Sequence, residues 1–236
     1  MNNSNQPSSQ RILSNTIVLF LRMLLLTMVN LYSIRIILGR MGTEDYGIYN
    51  AVAGVVTISS FISGVLDLAI QRFYSYAMGA KQRDQLIKIF SISIKCSAIL
   101  ALIIFIILEL AGIWYIENKL VVPIEKIGIV TLCFHFAVIT FLFTILQIPF
   151  TSTIFAHEDM GIYAAISSVE CLLKLLVAFL IGKVFWDNLS FYCLGLMLVA
   201  ILIYISYALW GYNRYEECKH YINVKDTGLY KKILSF

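Results

Sequence analysis

Residues 95–116 read KCSAILALIIFIILELAGIWYI and carry two charged side chains, Lys95 and Glu109. A helix that crosses a bilayer needs about 20 mostly apolar residues, and this stretch has that length. Because lipid offers no partners to backbone N–H and C=O groups, we expect such a stretch to be helical. The same pattern recurs along the chain, and we predict six spans, at 14–38, 47–70, 90–115, 127–149, 163–183 and 191–212. The predicted fold is therefore an all-α, six-helix membrane bundle.

Composition supports a membrane protein. The chain is 60% hydrophobic and 14% charged, whereas about a quarter of the residues in a soluble domain are charged. The five cysteines form no CxxC pair, so the spacing favours buried thiols over a metal site or a disulfide framework. No basic, aromatic-interleaved segment indicates nucleic-acid binding. We predict no catalytic residue, cofactor or metal.

Basic residues outside the spans predict the orientation. We expect a tail at 1–13, the bundle at 14–212 and a basic segment at 213–236. With a cytoplasmic N-terminus, ten basic residues lie inside and four outside, so the positive-inside rule places both termini in the cytoplasm. The inside set is Arg11, Arg72, Lys81, Arg83, Lys88, Arg214, Lys219, Lys225, Lys231 and Lys232, and the outside set is Arg40, Lys119, Lys126 and Lys183.

Several predicted spans carry charged residues, and Arg22 lies within the first. A charge near the bilayer centre costs about 2.5–3.5 kcal/mol on insertion scales, so we expect these side chains to face the bundle interior or a wet cavity. Glu170 and Lys174 are four residues apart, which favours an ion pair. Cationic groups in such an interior suit an anionic cargo such as a phosphate or pyrophosphate. The other candidates are Lys95, Glu109 and Asp67.

Each candidate also has a structural interpretation. Lys95 and Asp67 lie near span ends, where side chains extend to the headgroups, and Glu170–Lys174 can serve as a structural pair. His135 is expected to be a hydrogen-bonded packing residue. Two polar stripes at helical spacing favour either helix packing or ligand contact; they are Thr140, Thr144, Gln147 and Thr151 in the fourth span, and Asn50, Gly54, Thr57 and Gly64 in the second.

Three segments resemble a known family. They are RIILGRMGTEDYGIYNAVAGVV (35–56), FISGVLDLAIQRFYSYAMG (61–79) and IPFTSTIFAHEDMGIYAAISSVECLLKLLVAFL (148–180). Together they resemble bacterial O-antigen (Wzx-type) flippases, which are lipid-linked oligosaccharide transporters of the MOP superfamily. None of the three motifs is catalytic, so the resemblance depends on their joint order and spacing.

The resemblance implies two six-helix bundles that face each other across a cavity and work by alternating access in the bacterial inner membrane. The implied cargo is an undecaprenyl-pyrophosphate-linked oligosaccharide for O-antigen or other polysaccharide synthesis. Only one bundle is present, and GLYKKILSF at 228–236 resembles the approach to a seventh helix. We therefore expect the N-terminal half of a transporter with about twelve helices, a fragment that is not an enzyme.

On this interpretation the charged residues divide by role. Arg22 and Lys174 receive the pyrophosphate, and Lys95 attracts it on entry. Glu170, Glu109 or Asp67 exchanges a coupling H⁺ or Na⁺. Alternatives remain open: a cation-coupled multidrug exporter of the same superfamily, a membrane-embedded glycan polymerase or transferase, and a non-transporting subunit or remnant.

Overall fold

The computed structural model describes residues 8–80, 82–120, 122–183, 187–220 and 222. Most of the predicted basic segment, with Lys225, Lys231 and Lys232, lies outside the described residues, as do residues 1–7 of the predicted tail and Lys81. Within the described ranges the chain is helical and has no strand. The helices are α1 (Ser8–Ile58), α2 (Ser60–Gly79), α3 (Arg83–Asn118), α4 (Ile127–Leu146), α5 (Ile148–Ala156), α6 (Met160–Leu180), α7 (Asn188–Arg214) and α8 (Glu216–Lys219).

Five described stretches are long and apolar enough to cross a bilayer. They are Leu13–Ile58, Arg83–Ile116, Ile124–Ala156, Met160–Leu180 and Asn188–Arg214. The prediction of an all-helical, multi-pass membrane protein is confirmed at this level. The predicted second span, 47–70, is not a separate helix, because a turn at Ser59 divides it between the end of α1 and α2.

Gly42 divides α1 into two arms. The apolar stretch Leu13–Ile58 has 46 residues, which as a straight helix would measure about 69 Å, against a bilayer core of about 30 Å. Gly42 interrupts it with φ 83° and ψ 168°, a conformation that is essentially restricted to glycine. We call residues 8–41 the first arm and residues 43–58 the second arm.

The predicted fourth span, 127–149, ends at Pro149, and the structure divides the helix close to this residue, between α4 and α5. The helix is interrupted at Gln147, two residues before the proline. Proline has no N–H to donate and its ring crowds the carbonyl four residues earlier.

Contacts between helix ends define two ends of the bundle. At one end, Lys126 Nζ lies 2.7 Å from Asp45 Oδ1, and Asn188 donates to the Arg40 carbonyl at 3.3 Å. We call this the Lys126 end. At the opposite end, which we call the Glu217 end, the Arg83 guanidinium lies 3.6 Å from Glu216. Successive long helices therefore run in alternating directions.

The helices share one apolar core. α4 is the central helix and packs on α7, α3 and α1, while the first arm packs mainly on α6. Phe134 and Tyr207 are among the largest fully buried side chains. The outward side of the first arm is apolar and exposed, with Met28 at 70% and Leu31 at 66%, as suits contact with lipid tails.

Candidate functional site

Arg22 lies in a polar seam between the first arm and α6. Its Nε donates to Ser167 Oγ, and its Nη2 donates to Tyr163 Oη at 3.3 Å. The guanidinium carbon sits 4.5 Å from the centre of the Tyr163 ring, within the range of a cation–π contact. Among the described residues no carboxylate lies within 4.0 Å of Arg22, so its charge is not neutralised by an ion pair there.

The seam joins a polar stripe on the first arm to a polar stripe on α6. Asn15 and Arg22 lie on one side of the first arm, and Tyr163 and Ser167 lie on one side of α6. Asn15 donates to the Glu158 carbonyl at 3.4 Å, so two residues of the first stripe reach α6 and the turn before it. Ser33, also in that stripe, is buried and donates to its own helix. No local sequence pattern predicts that these two stripes contact each other.

Lys174 lies farther along α6 and is already paired. Its Nζ is 2.6 Å from Glu170 Oε1, so the predicted ion pair is present. Lys174 follows Ser167 by seven residues, or about 10 Å along a helix. Because Glu170 compensates its charge, Lys174 adds little net positive charge to the seam, and Arg22 is the main cation there.

Lys95 is placed on another helix group. It is half-buried on α3, which packs on α4, α2 and α5 and not closely on α6. Its neighbours Ser93, Cys96 and Ser97 are buried. The structure therefore does not bring Lys95 together with Arg22 and Lys174.

Glu109 pairs with His135 across α3 and α4. Its Oε1 lies 3.0 Å from His135 Nδ1, and the side chains are 20% and 39% exposed respectively. The prediction that His135 is hydrogen-bonded is confirmed. The sequence places Glu109 and Lys95 on one face of α3, but it gives no sign of the partner on α4.

Asp67 is held between α2 and α5. Its Oδ1 accepts hydrogen bonds from Gln71 Nε2 and Ser152 Oγ, both at 2.9 Å. Gln71 follows from helical spacing, but Ser152 is 85 residues away. These two hydrogen bonds hold the Asp67 side chain between the two helices.

A cluster at the Glu217 end was not predicted. His157 Nε2 lies 2.6 Å from Glu217 Oε1, Tyr215 donates to Asp159 at 2.6 Å, and the His157 and Tyr215 rings stack at 4.3 Å. Burial opposes ionisation of Glu217, but hydrogen bonds from His157 and the backbone, with the charges of His157 and Arg83, lower its pKa overall. The cluster fixes α8 to the turn between α5 and α6.

A cavity of about 160 Å³ lies between the second arm, α4 and α7. Three threonines from the two predicted polar stripes line it: Thr57, Thr140 and Thr144. Part of each stripe therefore lines a cavity, and the choice between helix packing and ligand contact stays a prediction. Thr151 of the same stripe lies elsewhere, buried in α5.

The long apolar helices place the chain among multi-pass membrane proteins. In the described part of the chain no group of three His, Cys, Asp or Glu side chains is arranged to hold a metal ion. The polar groups are distributed along seams between apolar helices of a multi-pass membrane protein. No protein-family model, curated protein or solved structure matches the chain.

Proposed function

We propose that this chain is one half of a flippase that moves a lipid-linked oligosaccharide across the bacterial inner membrane, of the O-antigen (Wzx-type) kind in the MOP superfamily. The observation that carries the proposal is the unneutralised Arg22 guanidinium in the seam between the first arm and α6. Arg22 is half-buried, and a half-buried cation among apolar helices is costly unless it serves a ligand or a partner. A pyrophosphate would supply the missing negative charge.

Arg22 has the donors to hold a diphosphate. Guanidinium has five N–H groups in a rigid fork that suits phosphate oxygens. Ser167 and Tyr163 use two of them, and the remaining three have no partner among the described residues. The two fixed donors orient the fork before a ligand arrives, which reduces the ordering cost of binding.

The membrane topology belongs to the same proposal. The chain crosses six times, with the first arm as one crossing and the second arm plus α2 as the next. We place the Glu217 end in the cytoplasm, because the positive-inside rule applied to the sequence puts both termini there. A second bundle of about six helices faces the first arm, and the cargo crosses between the two by alternating access.

Coupling to H⁺ or Na⁺ is assigned to the intramembrane carboxylates. Glu109 is the best placed of them, because its partner His135 is itself titratable, whereas Glu170 is bound to Lys174 and Asp67 to uncharged donors. No bond is made or broken in this proposal, so the protein is a transporter and not an enzyme. Arg22 also disfavours cationic drugs as cargo.

The test is a binding titration of the full chain in phosphatidylcholine nanodiscs. The ligands are geranylgeranyl pyrophosphate and uncharged geranylgeraniol. We expect the pyrophosphate to bind and Arg22→Gln to weaken it about 10- to 100-fold, since hydrogen bonds to charged groups contribute about 1.5–3 kcal/mol. The matched control is Arg83→Gln, which removes the same charge from an exposed surface pair.

Equal affinity for the two ligands would exclude recognition of the pyrophosphate. Equal loss in Arg22→Gln and Arg83→Gln would show a general effect of net charge and would remove the support that Arg22 gives.

A further inference from the structure

Three threonine hydroxyls line the cavity between the second arm, α4 and α7. Thr57 donates to the Ala53 carbonyl at 2.7 Å, Thr140 to Phe136 at 2.8 Å, and Thr144 to Thr140 at 3.2 Å. Each hydroxyl hydrogen is therefore used inside its own helix. What the threonines offer to the cavity is oxygen lone pairs, which accept hydrogen bonds.

The rest of the lining is apolar or aromatic and carries no ionisable carboxylate or base. It consists of Tyr49, Ala53, Val56, Ala137, Phe141, Cys193 and Leu196. A charged ligand would find no counter-charge here and would lose its hydration. The lining suits a neutral molecule that has apolar faces and donates hydrogen bonds from its edge.

The volume limits the ligand to about one ring. A cavity of about 150 Å³ is large enough to hold a benzene molecule, and this cavity measures about 160 Å³. The cavity is not fully enclosed, so groups attached to the ring can project out of it. A single sugar ring, with C–H groups on its faces and hydroxyl donors around its edge, has this combination of size and chemistry.

The cavity and the Arg22 seam both border α7. Tyr207 lies with its ring 6.5 Å from the Tyr163 ring, beside Arg22. Leu196, in the cavity, precedes Tyr207 by eleven residues, which is about 16 Å along the helix and within about 20° of the same face. The cavity therefore lies on the Lys126 side of the Arg22 seam.

We propose that this cavity is a sugar subsite that binds one neutral hexose ring of the glycan, with Thr57, Thr140 and Thr144 as hydrogen-bond acceptors. The inference rests on the proposed function, which supplies the glycan. It adds a second contact point beyond the pyrophosphate and a means by which the protein selects among glycans. Ala137 and Ala53 leave the space that the ring fills.

The test is saturation-transfer NMR on the full chain in nanodiscs. The probes are methyl α-glucoside, methyl α-galactoside and methyl N-acetyl-α-glucosaminide, with cyclohexanol as a ring of similar size that has one hydroxyl. We expect transfer to at least one glycoside, and a drop of about 2- to 10-fold in affinity in Thr140→Val, the loss expected for a neutral hydrogen bond of about 0.5–1.5 kcal/mol. Ala137→Leu, which fills the cavity, should abolish it.

The control is Ala98→Leu, which adds the same side chain at an exposed position of α3 and should leave the glycoside signal unchanged. Absence of transfer to every glycoside, an unchanged signal in Ala137→Leu, or tighter binding of cyclohexanol that ignores Thr140→Val would each overturn the sugar subsite.

The two proposals fail separately. Arg22→Gln should not affect free glycosides, because they carry no phosphate. If prenyl pyrophosphate does not bind but glycosides do, the flippase proposal fails and the cavity remains a sugar site. If prenyl pyrophosphate binds through Arg22 and glycosides do not, only the subsite is lost.

Discussion

Gly112→Ala is the sharpest test of the packing between α3 and α4. A Cβ on Gly112 would lie 2.0 Å from Cζ and 2.6 Å from both Cε atoms of Phe134. Carbon atoms pack best at about 3.5–4.0 Å, so the two groups must separate by about 1.5–2 Å. Phe134 is 1% exposed and has no open space to swing into. The helices themselves must therefore move apart.

The cost follows from this displacement. Overpacking of a well-packed core costs about 1–3 kcal/mol, while alanine gains about 1 kcal/mol over glycine in helix propensity. The control Gly54→Ala meets nothing within 4 Å and gains only the propensity. We expect Gly112→Ala to be about 1–3 kcal/mol less stable than Gly54→Ala, a difference that isolates the steric term.

The assay is equilibrium unfolding of the full chain in mixed micelles as the SDS fraction is raised, followed by far-ultraviolet circular dichroism. Phe134→Leu shortens the side chain at the contact, so the double variant Gly112→Ala/Phe134→Leu should lose less stability than the two single changes predict together. Equal stability of Gly112→Ala and Gly54→Ala would refute the close approach of α3 and α4 at this point.

Three further predictions concern the ends and seams of the bundle. Because the pKa of Glu217 is lowered from 4.5, the contact with His157 stabilises the fold fully above pH 4.5 and is lost as the pH falls through the lowered pKa. Thermal melts from pH 7 to 3 should therefore show a steeper loss of stability in the wild type than in Glu217→Gln. Glu109→Leu leaves a half-buried imidazole without its partner and should cost about 1–3 kcal/mol in SDS unfolding, whereas Glu109→Gln, which keeps an acceptor, should cost less; equal losses would show that the hydrogen bond is unimportant. Gly42→Ala forces alanine into a conformation that costs about 1–3 kcal/mol, so it should unfold at lower SDS than Gly47→Ala, whose Cβ meets open space, and a matching midpoint would contradict the break in α1.

Local patterns predict the helices and the short-range pairs. Glu170–Lys174 follows from a spacing of four residues, and the break before Pro149 follows from the missing N–H. The helices extend beyond the apolar spans, as α3 does from Arg83 to Asn118, because hydropathy marks the lipid-embedded part of a helix and not its hydrogen-bonded ends.

The long-range contacts do not follow from local patterns. Ser167 is 145 residues from Arg22. No local sequence pattern indicates that the first arm packs beside α6 instead of α3. For the same reason the partner of Glu109 is His135, and Lys95 is separated from Arg22. Periodicity assigns each polar residue to a face of its own helix, while the packing of the helices decides which faces meet.

Photoaffinity labelling tests directly whether Arg22 binds an anionic lipid headgroup. The full chain in phosphatidylcholine nanodiscs would be irradiated with a prenyl pyrophosphate that carries a diazirine on the isoprene unit next to the phosphate. We expect labelled peptides from the first arm and from α6 around Tyr163, competed by unlabelled geranylgeranyl pyrophosphate and lost in Arg22→Gln but not in Arg83→Gln. Labelling spread over the apolar faces of α3, or unchanged in Arg22→Gln, would contradict this expectation.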